Sequence, residues 1–129
     1  MSTFQNFTEI EAWQKARELT SRIYAVSKRG AFAKDFGLRG QIRNASVSVM
    51  SNIAEGFDRN GTAEFVQFLV IAKGSAAEVA SQLYVAQDQS YVTAAEFDQL
   101  IALATETGRK IGALMNYLRR SGIKGAKFR

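Results

Sequence analysis

Apolar residues return at three- and four-residue spacing through four long stretches of this 129-residue chain, and no proline interrupts any of them. That spacing marks amphipathic helices, each with one face to bury, and the absence of proline lets helix interiors run unbroken. The first helix is expected at about 8–29, with Trp13, Ala16, Leu19, Ile23 and Val26 on its apolar stripe. The second is expected at about 35–55, the third at 62–89 and the fourth at 93–120. Thr8 with Glu11 and Thr93 with Glu96 have capping-box spacing, and Asp35 suits an N-cap. Gly30 and Gly56 read as helix stops. No segment sustains period-two alternation. Connections of about three to seven residues make sequential helices antiparallel neighbours. The expected fold is therefore all-α, an up-down-up-down antiparallel four-helix bundle over residues 1–120, followed by a loosely ordered basic tail over 121–129.

Composition narrows the chemistry. The chain has no cysteine and no histidine, so it lacks thiolate ligands, a cysteine nucleophile, and the commonest general base and metal ligand. No cofactor is expected. No apolar run approaches the roughly 18 residues needed to span a bilayer, and residues 1–6 lack the basic and apolar regions of a secretory signal. The expectation is a cytoplasmic protein with no membrane partner.

The second helix carries an unusual load of small polar residues: Asn44, Ser48, Ser51, Asn52 and Glu55 run beside an apolar face of Leu38, Ile42, Ala45, Val49 and Ile53. Serine and asparagine compete for backbone hydrogen bonds and are mediocre helix formers, so the stripe asks for a purpose. One reading is a structural polar network that fixes helix register, with Glu55 paired to Arg43 or Arg59. A catalytic reading takes Ser48 or Ser51 as nucleophile, but no histidine serves as its base. A metal reading takes Glu55, Asp58 and Glu64, without the Glu-x-x-His pairs of di-iron bundles.

Charge is concentrated at one end. The net charge is +5, yet the first 107 residues hold ten basic residues against all twelve acids. The surplus comes from Arg109, Lys110, Arg119, Arg120, Lys124, Lys127 and Arg129, with no acid among them. Basic tails bind nucleic acid and other polyanions, though lysine and arginine also suit a helix C-terminus. With Arg43, Arg59 and Lys73, these residues are the candidate nucleic-acid contacts, since phosphate contacts need only cations at suitable spacing. Tyr84, Tyr91 and Tyr117 are available to stack on bases.

Two features suggest more than a solitary bundle. Gly74, Gly108 and Gly112 lie inside helices, each costing about 1 kcal/mol relative to alanine, which close packing within the chain or against another subunit would explain. Phe57, Phe65, Val66, Phe68, Leu69, Val70 and Ile71 also cannot all point into one core. The excess apolar surface implies oligomerisation.

The stretch Val47-Ser48-Val49-Met50-Ser51-Asn52-Ile53-Ala54-Glu55-Gly56 resembles the S-I-P-S-N-I-A-E-G core of the bacterial four-helix-bundle proteins encoded in intervening sequences of 23S ribosomal RNA genes. Ala12-Trp13-Gln14-Lys15-Ala16 is similar to the family's W-Q-x-A start of helix 1. Phe36-Gly37-Leu38 with Gln41-Ile42-Arg43, Glu64 to Leu69, and Ile71 to Ser75 match further motifs in the right order. Met50 and the neighbourhood of Ala33 depart where the family often has proline, and Gly40 is not the family's usual residue. The resemblance covers residues 8–118 and implies a four-helix bundle assembled as a ring, a homopentamer. The chain is also similar to the accessory proteins of diversity-generating retroelements, which associate with nucleic acid and a reverse transcriptase.

The sequence thus points to a non-enzymatic, ring-forming bundle that binds RNA, DNA or a ribonucleoprotein partner through its basic C-terminal surface. The alternatives are a purely structural homo-oligomeric module and, third, an enzyme with an unrecognised site.

Overall fold

A computed structural model describes residues 4–121. Among them there is no strand, and the long helices are α1 (Glu11–Ser27), α3 (Phe36–Phe57), α4 (Thr62–Asp88) and α5 (Ala94–Ser121). A five-residue helix, α2 (Gly30–Lys34), and a 3-10 turn at Phe7–Glu9 are the other helical elements among the described residues. The bundle closes as a ring of neighbours, α1 against α3, α3 against α4, α4 against α5 and α5 against α1. No helix among the described residues is long and apolar enough to cross a membrane.

The core has two layers, and their membership fixes the helix directions. One layer joins the start of α1 (Trp13, Ala16), the end of α3 (Val49, Ile53), the start of α4 (Phe65, Leu69, Ala72) and the end of α5 (Ile111, Met115, Leu118). The other joins the opposite ends through Leu19, Ile23, Ile42, Val79, Leu83, Leu100 and Ala104. Starts meet ends in both layers, so the four long helices alternate up and down. Deeply buried aliphatics of this kind each contribute about 1.5–3 kcal/mol, which makes the stripes the main force holding the bundle.

Local signals set the helix ends, with two differences from expectation. Asp35 does cap α3, its Oδ1 accepting from Leu38 N at 3.1 Å. Thr93 and Glu96 do form a reciprocal capping box, at 2.9 and 3.1 Å. Thr8 does not open α1. Its own N–H is taken by Asn6 Oδ1 at 2.9 Å, capping the 3-10 turn instead, and α1 begins three residues later, behind the buried Ile10. The expected stop at Gly56 is likewise a different device. The helix continues through Phe57, and a Cβ at Gly56 would lie 2.7 Å from Phe68 Cβ and 3.0 Å from Phe65 Cδ1. Gly56 is there to let α4 approach. Gly30 does take a left-handed φ of 49°, but α1 already ends at Ser27 with Lys28 as its C-cap, and Gly30 opens α2.

The capping box also anchors the far end of the bundle. Arg29 donates to both Glu96 oxygens, at 2.7 and 2.9 Å, tying the α1–α2 corner to the start of α5. The Arg29 bond, then the Thr93 N–H, hold the Glu96 carboxyl down from the ordinary 4.5 to about 2. A carboxyl lowered on folding stabilises the fold above its unfolded value, and that stability is lost as pH falls through the folded value. Glu96→Gln should therefore cost about 1 kcal/mol at neutral pH, measured by denaturant unfolding. The gap to the parent should close as pH falls from 4.5 to about 2.

Gly56→Ala should destabilise by about 1–3 kcal/mol despite the better helix propensity of alanine, because Phe65 and Phe68 must move. Thermal or urea unfolding checks this.

Candidate functional site

The polar stripe of α3 resolves into a smaller network than its five residues suggested. Ser48 Oγ shares a 3.0 Å hydrogen bond with Ser75 Oγ of α4. Asn52 Nδ2 donates to Ser48 O at 2.8 Å and to Ser48 Oγ at 3.0 Å. Asn44 and Ser51 are exposed and stand outside this network. Glu55 is exposed too and pairs with Arg59 at 3.2 Å, not with Arg43. The network is thus Ser48, Asn52 and Ser75, a strap between α3 and α4. Ser75 was not singled out as a partner, although its place among Ala72, Gly74, Ala76 and Ala77 marked a close helix contact. Ser48 meets a hydroxyl and an amide, neither of which is a base, so the cluster holds helices together and offers no nucleophile activation.

Glu55, Asp58 and Glu64 border one shallow surface depression together with Arg59 and Asn60. Among the described residues no group of three carboxylates, histidines or cysteines is placed to hold a metal ion.

The structure separates the candidate cations. Lys73 and Arg109 flank an open groove of about 1120 Å³ between α4 and α5, whose walls include Ala76, Ala77, Ala80, Gly108, Gly112 and Ala113. Arg119 and Arg120 stand exposed on the last turn of α5. Lys110 lines the same groove but pairs with Glu11 at 2.9 Å. Arg59 is paired to Glu55 and lies over the Phe68 ring at 4.8 Å. Arg43 is not part of this group. It sits in the opposite core layer's half of α3, over the Tyr24 ring. Lys124, Lys127 and Arg129 lie outside the described residues.

Of the tyrosines expected to stack, Tyr84 alone is exposed, at 55%. Tyr91 stacks on Phe32 and donates to Asp35 Oδ2 at 2.9 Å, and Tyr117 packs against the core.

The outward face of α4 is apolar. Phe65 and Leu69 fill the core and Phe57 caps it, while Val70 and Ile71 are 51% and 53% exposed and Val85 is exposed beyond them. At helical spacing Val70, Gly74, Ala77, Ser81, Tyr84 and Val85 form one strip with no charge along its centre. A Cβ at Gly74 or Gly108 would meet nothing within 4 Å, and one at Gly112 only Lys73 Cε at 3.4 Å. Close packing within the chain, one of the two explanations open for these glycines, therefore does not account for Gly74 or Gly108. Gly74, on the apolar strip itself, and Gly108 face open space, whereas Gly112 lies against Lys73 of α4.

Residues 8–113 match the family described as 23S rRNA-intervening sequence protein. Among solved structures the chain is similar to a protein of unknown function of the S23 ribosomal protein family from Bacteroides thetaiotaomicron. That likeness has 23% identity and a TM-score of 0.75, and covers 81% of this chain and 95% of the other. No curated protein matches. At that identity the structural likeness speaks for the four-helix fold alone, whereas the family match spans most of the bundle. The chain belongs to the 23S rRNA-intervening sequence protein family.

Proposed function

We propose that the chain is a non-enzymatic assembly protein: a bundle that joins copies of itself through the α4 face and serves nucleic acid or a ribonucleoprotein through cationic surfaces. The observation that carries the first half is the strip from Val70 to Val85. Half-exposed valine, isoleucine and tyrosine flank Gly74, where the chain itself places nothing within 4 Å, and the exposed Ala77. Small residues there let another helix approach, and the surrounding apolar side chains gain from burial. The family resemblance favours a closed ring of five. The second half is supported by Lys73, Arg109, Arg119 and Arg120, none of which pairs with a carboxylate among the described residues. Repeating such a column around a ring would multiply a modest single-copy affinity.

Two experiments test this reading. Val70→Lys with Ala77→Lys places charge in the strip while leaving the bundle core untouched. It should weaken self-association by about 2 kcal/mol or more, seen as a lower mass by sedimentation with unchanged helicity. Binding of labelled RNA or DNA by the full chain should fall steeply with salt, with a slope that decreases by about 1 for each phosphate-contacting cation removed at Arg119 or Arg120. A chain that assembles but binds no nucleic acid at about 50 mM salt would leave only the structural half.

A further inference from the structure

The basic C-terminus is not the only cationic block. Between residues 22 and 43 stand six basic residues, Arg22, Lys28, Arg29, Lys34, Arg39 and Arg43, against a single acid, Asp35. Arg22 is paired with Glu18 and Arg29 with Glu96. Asp35 is occupied by the Leu38 N–H and the Tyr91 hydroxyl. Lys28, Lys34, Arg39 and Arg43 have no carboxylate partner among the described residues.

Two of these cations are fixed in place against exposed aromatic rings. The Arg39 guanidinium lies 4.9 Å from the centre of the Phe36 ring, and Nη1 donates to Ala33 O at 2.6 Å. The Arg43 guanidinium lies 4.4 Å from the centre of the Tyr24 ring, and Nε donates to Ser27 Oγ at 2.7 Å. Phe36 is 71% exposed and Tyr24 42%, so the core requires neither ring. Phe36, Arg39 and Arg43 follow one stripe of α3 at i, i+3 and i+7, over roughly 10 Å of helix. Lys34 and Lys28, both exposed, are the next residues along the chain after these acceptors at Ala33 and Ser27.

We infer that this face of α1, α2 and α3 is a binding surface for single-stranded nucleic acid. The partner follows from the chemistry. Each guanidinium has five N–H groups, and the bonds described use one on each, leaving donors for phosphate oxygens. The flat ring and guanidinium surfaces accept stacked bases, which is possible only when the bases are unpaired. A duplex offers phosphates to the cations but no bases to the rings. The inference rests on the reading of the chain as a nucleic-acid binder, but it names a second surface, far along the bundle from Arg119 and Arg120.

The test is fluorescence anisotropy of the full chain with an oligothymidylate strand and with the same strand in duplex, at fixed salt. Single-strand binding should be the tighter. Tyr24→Ala and Phe36→Ala should each weaken it by about tenfold and leave duplex binding, helicity and assembled mass unchanged. Arg39→Gln with Arg43→Gln should lower the single-strand salt slope by about 1.4. Ring variants that bind the single strand like the parent overturn the inference, as does a parent without single-strand preference. A change in assembled mass also overturns it, by making the face a subunit contact. Loss confined to an Arg119→Ala, Arg120→Ala variant overturns it while leaving the C-terminal reading intact. No binding by the parent removes both.

Discussion

A four-helix bundle has one interior, and each helix can give it only one face. That constraint organises everything else in this protein. α1 and α5 have narrow stripes that the core absorbs, through Trp13, Ala16, Leu19 and Ile23 on one and Phe97, Leu100, Ile111 and Leu118 on the other. α4 spends Phe65, Leu69, Ala72, Val79 and Leu83 on the core and still has Val70, Ile71, Tyr84 and Val85 outside. The bundle cannot bury both sets, so the second becomes a surface property. Its apolar character, and the open space beside Gly74 and Gly108, are the residue of a problem the single chain leaves unsolved.

How much of this was legible in the sequence depended on how far apart the interacting residues lie. The four long helices and the caps at Asp35, Thr93 and Glu96 rest on periodicity and on neighbours within three residues, and these are readable directly. Thr8 misled because a competitor two residues earlier, Asn6, took its N–H. The helix α2 is five residues long, too short to show a period. Gly56 looked like a stop because helix ends favour glycine, but its reason is Phe68, twelve positions on and across a turn. The partner of Ser48 is a serine on another helix, and no local rule names it.

The same locality governs the charge. Summed over the first 107 residues, acids outnumber bases, which drew attention to the C-terminus and hid the block from Arg22 to Arg43. Pairing in three dimensions then redistributed the candidates. Lys110 and Arg59 are partly neutralised by carboxylates, while Arg39 and Arg43 are held upright on aromatic rings. Ion pairs at the surface are worth little to stability, but they decide which cations remain for an anionic partner. The polar stripe moved the other way. Of the residues read as a structural polar network, Ser48 and Asn52 join Ser75 in a hydrogen-bonded strap between α3 and α4, and Asn44, Ser51 and Glu55 stand outside it.

The central claim is that the outer face of α4 is a contact between copies of the chain. The mass of the intact protein in solution, by light scattering, tests it most directly. The account expects a discrete multiple of the 14.2 kDa chain, independent of concentration across the micromolar range. A single species at 14.2 kDa under the same conditions would contradict it.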